Sequence, residues 1–124
     1  MALRLENIKW DLSDDNGFNK EIIKNISLKF GDGKLVVVTG PNGGGKSTLS
    51  ELIPRFYDAT KGVIRIGGVN VRDIRKEALR QSIAVVPQKA VLFKGTIRSN
   101  LLYGTASATD ADMTEAIAFA QGSD

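Results

Sequence analysis

One stretch constrains this chain more than any other: Gly40-Pro41-Asn42-Gly43-Gly44-Gly45-Lys46-Ser47-Thr48. It fits the pattern G-x-x-x-x-G-K-[ST]. Before it stands an apolar, β-branched run, Leu35-Val36-Val37-Val38-Thr39; after it Leu49, Leu52, Ile53 and Phe56 recur at helical spacing. A strand, a glycine loop and a helix in that order form a unit with known physics. The apolar run suits a strand buried on both faces, as in a parallel sheet. Glycines at 43, 44 and 45 let the backbone take positive φ and come close to a ligand. Successive N–H groups then line a concavity for anions, to which the helix start adds partial positive charge. In that arrangement Lys46 reaches β- and γ-phosphates, the Ser47 hydroxyl binds Mg2+, and Thr48 bonds the α-phosphate. The plain alternative is a glycine turn with an exposed lysine, and the strand and helix on either side weigh against it.

The rest of the chain reads as alternating short elements. Leu3, Leu5, Ile8 and Trp10 predict a strand with a slip near Asn7, a bulge. Ser13-Asp14-Asp15-Asn16-Gly17 is a turn cluster, and Ile26, Leu28 and Phe30 share one face of a second strand. Gly31-Asp32-Gly33 predicts a hairpin connection. Pro54 kinks or ends the helix after the loop. Val63, Ile64 and Ile66 form a strand that Gly67-Gly68 turns towards Val69-Asn70-Val71. Residues 73–81 read as a polar helix, and Ile83-Ala84-Val85-Val86 as a second buried strand stopped by Pro87. Thr96 starts a short helix ending at Gly104. Thr109 to Asp112 caps a last helix whose Met113, Ala116, Ile117 and Ala120 share a face, with Gly122 as its terminator.

Composition removes whole classes of chemistry. The 124 residues contain no Cys and no His, so disulfides, thiolate nucleophiles, sulfur-bound zinc and a Ser-His-Asp triad are excluded. No apolar run approaches bilayer length, and the N-terminus lacks the apolar stretch of a signal peptide, which predicts a soluble, intracellular chain without membrane insertion. Residues 51–104 carry ten basic and four acidic groups, a net +6. Such a segment attracts phosphates or nucleic acid. No aromatics interleave with Arg72, Arg75, Lys76 and Arg80 as a stacking surface requires, so a solvated helix face is the expectation there and nucleic acid is not the expected partner.

Beyond the loop, Pro54-Arg55-Phe56-Tyr57-Asp58, Gly62, Leu79-Arg80-Gln81-Ser82-Ile83-Ala84-Val85-Val86-Pro87-Gln88 and Leu92-Phe93-Lys94-Gly95-Thr96-Ile97-Arg98-Ser99-Asn100-Leu101 follow in order. This chain resembles the nucleotide-binding domain of ATP-binding cassette (ABC) transporters over nearly its whole length. Residues 20–53 resemble members outside the exporter branch, and 54–104 look exporter-like. Either natural divergence or an engineered or reconstructed half-domain fits that mixture. The resemblance implies that Gln88 is the Q-loop glutamine, which contacts Mg2+ and the attacking water and couples the site to transmembrane domains. It implies that residues 89–95 form the adjoining coupling surface. Leu12 falls where the family places an adenine-stacking tyrosine. Trp10 reads as core, which leaves Phe18, in the turn, as the stacking candidate.

The family's signature motif, its acidic strand end with catalytic Glu and its switch His are absent from these residues. Residues 1–124 therefore read as the N-terminal half of the domain, and two copies do not rebuild the family's shared ATP sandwich. The implied fold is an α/β, P-loop NTPase-like half-domain. It has an antiparallel β portion from 3–30 and 63–71 and a short parallel core sheet from 35–39 and 83–86. The leading functional expectation is binding of ATP or another nucleoside polyphosphate with Mg2+, with little or no hydrolysis, in the cytoplasm, and at the cytoplasmic face of a membrane if the chain is part of a transporter. Gln88 is then the one candidate for positioning water and, with Ser47, a metal ligand. The alternatives are a weak ATPase fragment, a nucleic-acid binder and a non-nucleotide interaction fragment. Unpaired strand edges predict self-association, or pairing with a complementary half-domain.

Overall fold

The break in strand parity at Asn7 organises the sheet. In a regular strand Leu5 and Ile8 face opposite sides, yet both are buried in one core. Asn7 adopts φ 51°, and the pairing jumps from Leu5 opposite Leu28 to Ile8 opposite Ile26. This is the bulge expected from the sequence, and it turns Ile8 onto the face already occupied by Leu5. The Asn7 amide, displaced from the ladder, donates to the Ser27 hydroxyl at 2.9 Å.

The computed structural model describes residues 2–120. Strand β1 (Leu3–Ser13) pairs antiparallel with β2 (Asn19–Phe30) on one side and with β3 (Lys61–Ile66) on the other. Strand β4 (Val69–Asn70) closes the order β2-β1-β3-β4. Helix α1 (Lys46–Leu52) lays Leu49 and Leu52 on this sheet, joined by Val71 and by Leu79 of helix α2 (Lys76–Gln81). Trp10 and Ile83 pack partly buried against the same cluster, so Trp10 is a core residue as expected, its ring 5.5 Å from that of Tyr57.

Several expectations need correction. The parallel core sheet is not formed: 35–39 and 83–86 carry no regular secondary structure and join no ladder among the described residues. Leu35 is 94% exposed and Val86 95%. A strand requires partners for its N–H and C=O groups, and all four strands present are committed to the antiparallel sheet. Gly31-Asp32-Gly33 therefore turns the chain into an unpaired segment rather than a hairpin. Helix α1 stops before Pro54, and the polar stretch splits into a 3-10 turn (Val71–Asp73) and α2.

Three of the basic side chains bind the chain's own groups. Arg55 makes a two-pronged pair with Asp58, Arg72 donates to the Ala59 carbonyl at 2.6 Å, and Arg80 donates to the Pro54 and Arg55 carbonyls and lies over the Phe56 ring. The stretch expected to be a solvated face thus turns Arg72 and Arg80 onto backbone carbonyls of the chain itself.

The chain divides into two compact units, residues 1–85 and 86–124. The second holds α3 (Ile97–Leu101) and α4 (Asp110–Phe119). Each opens with a threonine capping box, Thr96 with Ser99 and Thr109 with Asp112. Helix α3 is shorter than the expected span to Gly104. Of the expected α4 face, Met113 is buried and Ile117 half-buried, while Ala116 and Ala120 are exposed. Gly122 lies outside the described residues. Among the described residues no helix is long and apolar enough to cross a membrane.

Candidate functional site

The loop is built by its own turns and by β2 beneath it. The Gly44 amide donates to the Pro41 carbonyl at 3.1 Å, closing a turn with Gly43 at φ 79°, the conformation a type II turn requires at that position. Gly45 follows at φ 83° and opens α1 without a side-chain cap. A Cβ on Gly45 would sit 3.3 Å from the Ile22 carbonyl oxygen and 3.4 Å from Ile23 Cδ1. The loop thus rests closely on β2, where a side chain at 45 would press on its neighbours by a few tenths of an ångström and strain a backbone at positive φ. Leu49 and Leu52, buried one turn further on, hold α1 in place.

Among the described residues, the amides of Gly43, Gly45, Lys46, Ser47 and Thr48 donate to no protein acceptor. The last three are the orphan donors of a helix start, and all five fall within the six residues 43–48. The Lys46 Nζ folds back and donates to the carbonyls of Gly40 and Pro41, both at 2.7 Å. Of its three protons one remains for an outside acceptor. The Ser47 hydroxyl makes no hydrogen bond to a described residue, and Thr48 is half-buried.

A cleft of about 680 Å³ opens beside the loop. Leu5, Phe30, Val36, Val38 and Leu49 wall it, and Lys46, Ser47 and Lys34 give it a polar edge. The sequence signals for these walls were read as parts of strands and, for Leu49, of the helix after the loop, so the cleft itself was not legible in advance. Val36 and Val38 face into it, while Leu35 and Val37 on the other face are open to solvent.

The remaining candidates are placed differently. Phe18 is 67% exposed at the turn between β1 and β2 and does not line the cleft. The Asp14 carboxylate fixes this turn by accepting from the amides of Asn16 and Phe18. Gln88 is exposed in the second unit. In that unit the Asn100 side chain clamps Phe93, accepting from its amide and donating to its carbonyl, and the Phe93 ring stacks on Tyr103 at 4.2 Å.

No group of three or more acidic residues capable of holding a metal occurs among the described residues. The donor set of the loop still fits one kind of ligand. Clustered amides and an ammonium suit a polyphosphate. A free hydroxyl suits Mg2+, which takes its oxygens from one or two side chains, water and phosphates.

Comparison with known proteins agrees. The family model described as ABC transporter matches residues 23–124. The chain is 42% identical over 118 residues to ATP-binding cassette sub-family B member 6 of Xenopus tropicalis, covering 95% of this chain and 13% of that protein. It is 43% identical over 106 residues to an ATP-dependent lipid A-core flippase of Desulfotalea psychrophila, covering 86% and 18% respectively. Among solved structures, a bacterial Atm1-family ABC exporter with ATP bound superposes with a TM-score of 0.86 at 33% identity, over 97% of this chain and 20% of that one. The chain thus spans less than a fifth of the length of these two curated relatives.

Proposed function

The chain belongs to the ABC transporter family, and we propose that it is a nucleotide-binding module holding ATP or another nucleoside polyphosphate on Gly40–Thr48. The observation that carries this reading is the set of five unpartnered amides around a lysine that keeps one proton to offer. The amides take the non-bridging phosphate oxygens, and Lys46 adds a charge-assisted bond to the β- and γ-phosphates. Ser47 supplies the side-chain oxygen to Mg2+, which neutralises phosphate charge when bound. Gln88 offers a second oxygen ligand, and Phe18 a surface for the base.

Turnover is expected to be little or none from residues 1–124 alone. Phosphoryl transfer depends on an acidic metal holder and a group that orients water. No run of four apolar residues in this sequence leads into Asp or Glu. We read these residues as the N-terminal half of an exporter-type domain at the cytoplasmic face of a membrane. Residues 89–95 would lie against transmembrane partners, and the rest of the site would come from a complementary half.

Calorimetry with ATP, with and without Mg2+, tests the reading on the native chain and on Lys46→Ala, with released phosphate assayed in the same sample. Loss of one cation from a desolvated phosphate site is expected to weaken binding about tenfold or more. Equal affinity in the two proteins would refute the assignment.

The unpaired edges of 35–39 favour a second property, self-association. Light scattering at micromolar concentration is expected to show species above monomer mass, and a clean monomer would refute it.

A further inference from the structure

The phosphate loop contains an asparagine whose surroundings favour its chemical conversion. Two of the chain's asparagines precede glycine, Asn16 and Asn42. Glycine at the next position removes the side chain that hinders attack by its amide nitrogen on the asparagine side-chain carbonyl. The two sites differ in the state of that nitrogen. The Gly17 amide donates to the Asp14 carbonyl at 3.0 Å, and the Asn16 amide donates to the Asp14 carboxylate, so this turn is clamped. The Gly43 amide donates to nothing among the described residues, and apart from Asn42 and Gly44 none of them comes within 4 Å of where a Gly43 Cβ would stand. Asn42 is exposed and its side-chain amide makes no hydrogen bond to a described residue. The Lys46 ammonium is bound to the neighbouring Pro41 carbonyl. Its positive charge favours loss of the Gly43 proton that attack requires.

We propose that Asn42 is a site of spontaneous deamidation that converts the anion loop into a form bearing its own carboxylate. The Gly43 nitrogen loses its proton and bonds to the Asn42 side-chain carbonyl carbon, and ammonia leaves. Water then opens the five-membered imide at either carbonyl, giving an aspartyl or an isoaspartyl residue. The balance is one water consumed and one ammonia released, with no oxidation or reduction. Either product places a negative charge among the amides. The isoaspartyl form also lengthens the main chain by one carbon inside the turn that Gly44 closes on Pro41. The consequence for nucleotide rests on the function proposed above, whereas the lability of Asn42 does not.

The test incubates the full chain at mildly alkaline pH. Conversion at Asn42 and Asn16 is followed separately, by peptide mass spectrometry with chromatographic resolution of isoaspartate. Asn42 is expected to convert several-fold faster than Asn16, and ATP with Mg2+ is expected to slow Asn42 alone. Asn42→Asp, a direct mimic of one product, is expected to bind ATP about tenfold more weakly, the effect of a unit charge some 6 Å from phosphate at intermediate dielectric. Conversion of Asn16 at the same rate as Asn42, or faster, would overturn the proposal whatever nucleotide does. Preferential conversion of Asn42 that ATP does not slow, with full ATP affinity in Asn42→Asp, would uphold the labile site and count against the nucleotide reading.

Discussion

Gly62 and Gly68 both have positive φ, 91° and 81°, and differ in what surrounds them. A Cβ on Gly68 would stand in open space. A Cβ on Gly62 would lie 2.5 Å from the carbonyl oxygens of both Glu6 and Asn7. Those oxygens belong to the bulge of β1, which is held from the far side by β2 through the Asn7 amide and Ser27. Gly68→Ala therefore costs only the left-handed conformation, about 1 kcal/mol. Gly62→Ala adds a backbone overlap that β1 relieves only by leaving β3, a further 2–3 kcal/mol or so on the scale of overpacked cores. With a urea slope of about 2 kcal/mol per M, the midpoints fall by roughly 0.5 M and 1.5–2 M respectively. Trp10, the sole tryptophan, lies in β1 against the core and beside Tyr57, so its fluorescence reports the loss of this sheet. Midpoints within about 0.3 M of each other would refute the reasoning, because the two substitutions would then differ in nothing the bulge imposes.

Two further outcomes follow from side chains that titrate. Arg55 takes φ 57° where the Phe56 amide closes the end of α1 onto the Glu51 carbonyl, a position that favours glycine. Its hydrogen-bonded pair with Asp58 holds that carboxyl below the ordinary aspartate range. A depressed carboxyl stabilises the fold above the unfolded value of about 3.9, and the contribution fades as pH falls through the folded value. Arg55→Gly is therefore expected to match the native chain near neutrality and to exceed its stability in acid; thermal melts across pH that show no such divergence would refute it. Asp112 is likewise held low, by the amide and hydroxyl of Thr109. Thr109→Ala is expected to cost α4 about 1 kcal/mol, read as faster hydrogen exchange, and to flatten the acid loss of protection in that helix.

The antiparallel sheet was legible because its signals are local. The shift from Leu3 and Leu5 to Ile8 and Trp10 breaks strand parity, and a bulge is the one device that keeps all of them serving one core. Thr96 and Thr109 announce their helices by spacing alone. The run Leu35–Thr39 misled for the opposite reason. Its residues record that they would be stable in a buried sheet, but a ladder belongs to two strands, and the second is not among the described elements. The same holds for 83–86, where Ile83 finds the core and Val86 does not.

The loop shows where a pattern stops and a structure begins. Gly43, Gly44 and Gly45 are equivalent in the sequence, and their surroundings separate them. Gly45 is favoured by its φ of 83° and by β2, since a Cβ would stand a tight 3.3 Å from the Ile22 carbonyl oxygen, twenty-three positions earlier. Gly44 is favoured by the loop's own turn, because a Cβ there would press on the Pro41 carbonyl at 3.0 Å. A Cβ on Gly43 would meet no described residue beyond its chain neighbours, and its amide donates to none of the described residues. Its left-handed backbone serves the turn, but the space beside it serves nothing within the chain. The openness that leaves room for an incoming anion at Gly43 is the same openness that exposes the Asn42–Gly43 bond to conversion. Affinity and lability at this loop therefore share a cause, and a bound polyphosphate that occupied those amides would suppress the second by satisfying the first.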